Sequence, residues 1–140
     1  MESRVLFVLG KETRRMNIGW RFYHLFKEPP HKYRGKITLG KDALMLKGMD
    51  IKKDEEFGIE IPYKKIEGLH FGFDDVFKRR MSILKLLRIR YQTDGERSAV
   101  YLFIDFRKAM FLFSLRAWVI PKTKNKDWLF ALRKKLAIAL

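Results

Sequence analysis

From Tyr33 onward, apolar side chains recur at every second position. Tyr33, Gly35, Ile37 and Leu39 alternate with Arg34, Lys36 and Thr38, Gly40-Lys41-Asp42 supplies turn residues, and Leu44 and Leu46 alternate with Met45 and Lys47. This stretch predicts a hairpin. Phe57, Ile59 and Ile61 alternate with Gly58 and Glu60 up to Pro62, and Ile66, Leu69 and Phe71 follow around Gly68, where the shift in spacing predicts a bulge. Leu87, Ile89 and Tyr91 alternate with Arg88 and Arg90, Thr93-Asp94-Gly95-Glu96 predicts a turn, and Val100, Leu102, Ile104 and Phe106 share one face. Arg107-Lys108 predicts a further turn, and Met110 to Val119 reads as a last strand, apolar on both faces apart from Ser114 and Arg116. Such a strand is covered twice or belongs to an interface.

The period changes once, at Asn125 to Leu136. Trp128, Leu129, Leu132 and Leu136 fall at helical spacing, with Lys126, Arg133 and Lys134 off that stripe. Asn125 or Thr123 suits the first-turn cap, and Asp127 suits the positive end of the helix dipole. Seven strand candidates followed by one helix predict a mainly β fold, a seven-stranded antiparallel barrel or two packed sheets closed by a C-terminal helix. Residues 1–32 show no single period. Val5 to Leu9 is a short apolar run, Trp20, Phe22 and Tyr23 sit among Arg14, Arg15 and Arg21, and Pro29-Pro30 marks a boundary. They are read as an N-terminal extension with room for one added strand, ahead of a domain spanning 33–140.

Charge changes this picture more than length does. The 140 residues carry a net charge of +15, and one domain is expected from them. Residues 37–77 hold six Lys/Arg and nine Asp/Glu, which leaves 25 basic and seven acidic residues in the remainder. A surface of that kind meets phosphates, anionic lipid or acidic partners. No apolar run is long enough to span a membrane, and the N-terminal apolar stretch is too short for a signal peptide. A cytoplasmic location is expected, peripheral at the inner membrane surface. The absence of cysteine excludes disulfides and thiolate chemistry.

Three pieces, YRGKITLGKDALMLKG, FGIEIPYKKIEGLHF and NKDWLFALRKKL, resemble the pleckstrin-homology superfamily in its GRAM and prokaryotic PH-like branch, over about residues 33–139. The first resembles the opening hairpin, the second the isoleucine-proline strand pair, and the third the closing helix with its tryptophan, Trp128. The resemblance implies a PH-like barrel and a non-enzymatic module that binds anionic lipids, peptides or partner proteins. It also implies a headgroup site at Lys36, Lys41 and Lys47, although the loop Gly40-Lys41-Asp42 is short and Ala43, Leu44 and Met45 stand where basic residues are wanted.

A second basic feature comes from the residues themselves. Lys78, Arg79, Arg80, Lys85, Arg88 and Arg90 place six cations in 13 residues with no acid, interleaved with Phe77, Met81 and Leu84. That composition suits a membrane interface, whereas the plainer alternative folds the apolar residues into the core and leaves the charges in water. The cluster also suits a nucleic-acid backbone, the alternative function, although no nucleic-acid signature accompanies it. Phe111, Phe113 and Trp118 on the last strand are candidate interface residues, for a protein partner or a homo-oligomer. His24, His31 and His70 lack metal-ligand spacing, the serines lack an elbow motif, and neither a P-loop nor a dinucleotide fingerprint is present. No enzyme, cofactor or metal site is expected.

Overall fold

The computed structural model describes residues 1–15, 29, 31–74, 85–113 and 116–139, of which 14, 15, 108–113, 116–121 and 139 are described by backbone alone. Seven strands form one sheet: β1 (Glu2–Leu9), β2 (Tyr33–Leu39), β3 (Ala43–Asp50), β4 (Glu56–Pro62), β5 (Ile66–Gly72), β6 (Leu86–Thr93) and β7 (Glu96–Ile104). Their spatial order is β4-β3-β2-β1-β7-β6-β5, antiparallel throughout. The two edge strands, β4 and β5, are joined only by the 3-10 turn Tyr63–Lys65. So short a link between opposite edges requires the sheet to curl until those edges approach, giving a half-barrel. The helix α1 (Asn125–Ala139) packs on that turn and on β5, β6 and β7.

The two-residue period builds the core. Val5, Phe7 and Leu9, Tyr33 and Ile37, Leu44 and Leu46, Leu87, Ile89 and Tyr91, and Val100, Leu102 and Ile104 are buried together on the concave side. Trp128, Leu129 and Leu132 of α1 close it, each side chain contributing about 1.5–3 kcal/mol by leaving water. The Trp128 indole N–H donates to Ser3 Oγ at 3.3 Å, so the polar edge of the ring is also satisfied. Leu6, Val8, Leu86, Tyr101 and Phe103 are buried on the opposite face, with Phe106 packed against them. The middle strands are thus covered on both sides, which explains why Val5 to Leu9 reads as an unbroken apolar run.

Gly35 and Gly48 face each other across β2 and β3. A Cβ built on Gly35 falls well inside 3.0 Å of the β3 backbone, so only glycine permits this approach. A Cβ on Gly48 meets the Phe7 ring at 3.1 Å. The missing side chain leaves room for Phe57 of β4 to stack on Tyr33, centroids 4.2 Å apart, while Tyr33 stacks on Phe7 at 5.1 Å.

Several expectations hold, among them the 33–47 hairpin, the register shift at Gly68, the turn at Asp94-Gly95 and the helix. Others need correction. The seven-stranded count is right, but its membership differs. Residues 110–119 are not one strand: β8 (Arg107–Phe113) and β9 (Arg116–Lys122) pair, among the described residues, only with each other, as a separate hairpin. Apolar residues on both arms hid the break. Residues Glu2–Leu9 supply the seventh strand instead, in the middle of the sheet, which therefore runs across the boundary drawn at residue 32. The turn expected at Arg107-Lys108 falls earlier, where Asp105 adopts φ +50° and ends β7.

Candidate docking surface

Register gathers cations on the face of β1–β3 that points away from the core. Arg4 lies opposite Lys36, and Lys36 opposite Lys47, giving a row of three across adjacent strands. Like charges directly opposite one another are unfavourable. Carboxylates offset two of them: Arg4 Nη2 lies 3.2 Å from Asp105 Oδ1, and Lys36 Nζ lies 3.2 Å from Glu2 Oε1. Both cations stay 69% exposed, so these pairs are surface pairs of small individual worth. Lys47 has no carboxylate partner among the described residues. Beside the row runs an open groove of about 790 Å³, lined by Lys36, Lys47, Met45, Met49, Glu56 and Phe57 among others. Gly35, Gly48 and Gly58 also line it. A groove this open suits association with a surface better than enclosure of a small ligand, which normally loses most of its own surface.

The structure separates the other expected site residues. Lys41 sits in the β2–β3 turn, apart from Lys36 and Lys47 in the strands, and the presence of β1 makes this the second hairpin position of the sheet and not its opening. Lys85 Nζ lies 5.7 Å from the centre of the Phe71 ring, and Arg90 is exposed. Arg88 is committed elsewhere: its Nη1 donates to Asp74 Oδ2 at 2.9 Å, the two side chains only 17% and 8% exposed. Removing one partner of a pair so buried leaves an uncompensated charge, so this arginine is part of the scaffold. Burial pushes the Tyr101 hydroxyl pKa up, and neighbouring Asp74 adds to the effect. Lys78, Arg79 and Arg80 lie outside the described residues. Phe111 is set opposite Trp118, and Phe113 opposite Arg116, by the backbone register of β8–β9.

Two carboxylates that sequence reasoning missed tie the bases of the chain's two long excursions. Glu12 Oε1 accepts from the Leu9 N–H at 3.0 Å, while Oε2 accepts from Lys32 Nζ at 2.5 Å and from the Tyr33 hydroxyl at 2.7 Å. The end of β1 and the start of β2 are thereby held together. Burial, then the hydrogen bond to Glu12, pushes the Tyr33 pKa up to about 12, and the Glu12 bond raises that of Lys32. At the other end of β1, Asp105 lies 3.2 Å from Arg4 and from Arg107 and 3.5 Å from Lys124. Burial acts to raise the Asp105 pKa, but these three cations outweigh it and hold the carboxyl below its ordinary value. Asp50 orders the β3–β4 turn by accepting from the Lys52 and Lys53 N–H groups, which lower its pKa against the effect of burial. The only signal for Glu12 and Asp105 was an acid isolated within a basic stretch.

Among the described residues no group of three His, Asp or Glu side chains is placed to hold a metal ion. His31 Nδ1 lies 2.8 Å from the Pro29 carbonyl and His70 Nε2 lies 2.9 Å from that of Phe73, local bonds that serve loops. No family model, curated protein or solved structure matches this chain. The site's own geometry therefore carries the functional argument.

Proposed function

We propose that this chain is a non-enzymatic, PH-like docking module that binds an anionic membrane surface. The observation that carries the reading is how the fold distributes charge. Residues 37–77, six basic and nine acidic, supply β3 and β4 at one edge of the sheet and β5 at the other. Curling brings those edges together through the turn Tyr63–Lys65, so the acid-balanced strands gather on one side. The strands away from those edges, β1, β7 and β6, together with the hairpin, are all drawn from the part of the chain that holds 25 basic and seven acidic residues. Each cation near an anionic bilayer adds about 1 kcal/mol, so a one-sided arrangement orients the protein as well as attracting it.

Co-sedimentation with phosphatidylcholine vesicles, with and without phosphatidylserine, tests the reading, beside a DNA mobility shift at matched salt. The proposal expects sedimentation with anionic vesicles only, weakened by salt and by Lys36→Glu/Arg90→Glu, two exposed cations outside the 37–77 segment. A salt-steep DNA shift without vesicle binding supports a nucleic-acid-binding function instead. Binding to neither leaves a protein partner as the reading.

A further inference from the structure

The hairpin β8–β9 leaves the sheet as a ribbon whose strands pair with each other and, among the described residues, with no third strand. Its base is closed, because the Lys124 N–H donates to the Ile104 carbonyl at 2.7 Å and Asp105 pairs with both Arg107 and Lys124. An isolated two-stranded ribbon is marginal in water and gains from burying its side chains against something else. Between Ala109 and Ile120, Ser114 and Arg116 are the only residues that are not apolar. From Phe106 to Lys126 there is no acid, and Arg107, Lys108, Lys122, Lys124 and Lys126 stand at the base.

We propose that the ribbon inserts its turn end into the interfacial layer of an anionic bilayer while the cations at its base hold the headgroups. This deepens the docking reading and rests on it. Seven residues per strand give a reach of roughly 23 Å at about 3.3 Å per residue, so the ribbon must lie obliquely for its turn end to sink the roughly 5–10 Å typical of interfacial elements while its base stays at the headgroups. The chain order, apolar toward the turn and cationic at the base, follows the order a bilayer presents, hydrocarbon and then anionic headgroups. A second copy is the poorer occupant, since side-by-side ribbons bring one cationic base against another. Shallow insertion keeps the Arg116 position within a side chain's length of the headgroups.

The chain has no cysteine, so one introduced thiol carries a polarity-sensitive fluorophore at a single place. The full chain is labelled at Leu112→Cys, at its register partner Ala117→Cys, or at Lys53→Cys in the exposed β3–β4 turn. With phosphatidylserine-containing vesicles, the two ribbon labels shift to the blue and are reached by a bilayer-embedded quencher, and the Lys53 label does neither. Lys122→Gln/Lys126→Gln weakens vesicle partitioning roughly 30-fold, about fivefold per cation, and leaves the emission of the bound fraction blue-shifted. If the protein sediments with the vesicles while both ribbon labels keep their aqueous emission, docking stands and the ribbon proposal falls. If it does not sediment, both fall. A blue shift without lipid that grows with protein concentration identifies a second copy as the occupant and overturns the proposal.

Discussion

Asn125 holds three backbone groups, two of them in fully buried bonds. Its Oδ1 accepts from the Ile104 N–H at 2.8 Å, and its Nδ2 donates to the carbonyls of Lys85 and Leu102, each at 3.0 Å. The capping role open to Asn125 or Thr123 in the sequence falls to Thr123, whose hydroxyl accepts from the Asn125 N–H, while the Asn125 side chain turns into the sheet. Asn125→Ala orphans all three partners and is expected to cost about 3 kcal/mol in urea unfolding. Asn125→Asp keeps the acceptor but sets a carboxylate against two carbonyls, so its loss should be at least as large. Glycine gives a second contrast at this scale. Gly35→Ala drives a methyl into the β3 backbone and should cost about 2–3 kcal/mol, whereas Gly68, with nothing within 4 Å of its added Cβ, should accept alanine within about 0.5 kcal/mol.

Elements were legible where their period was clean. The 33–47 hairpin and the helix could be read because alternation and the spacing of Trp128, Leu129 and Leu132 each have one structural meaning. β1 was not, since burial on both faces erases alternation, and β8–β9 was not, since apolar residues run along both of its strands. Nor could the whole site be assembled from spacing: Lys36 and Lys47 share the predicted hairpin, but Arg4 joins the row only through pairing with a strand 32 residues on, the separation of Arg4 and Lys36. The orientation of α1 predicts that Trp128→Ala costs about 3–5 kcal/mol, while Phe130→Ala, at a side chain 51% exposed on the outward face, changes thermal unfolding by less than about 0.5 kcal/mol equivalent.

The base of the hairpin adds a pH dependence. The folded-state pKa of Asp105 lies below its ordinary value of 3.8, so its ion pairs stabilise the protein above that value. The contribution disappears as pH falls from about 4 through the lower folded value. Asparagine tolerates the positive φ at this position and removes only the charge. Asp105→Asn should therefore be less stable than wild type at pH 7, with the difference shrinking below pH 4 in urea unfolding followed across pH.

For the whole molecule, the fold turns a difference between stretches of sequence into a difference between sides. The sequence showed the local balance of residues 37–77 against the rest, but the sides appear only once β4 and β5 are known to meet and β1 to run through the middle. The proposed docking depends on which side faces the membrane. Hydrogen–deuterium exchange of the full chain with and without phosphatidylserine-containing vesicles measures that directly. The account predicts slowed exchange in the hairpin 107–122, with the charge-balanced β3–β4 turn, residues 51–55, unchanged. Slowing confined to the 51–55 turn and β4, or spread evenly over the chain, would contradict it.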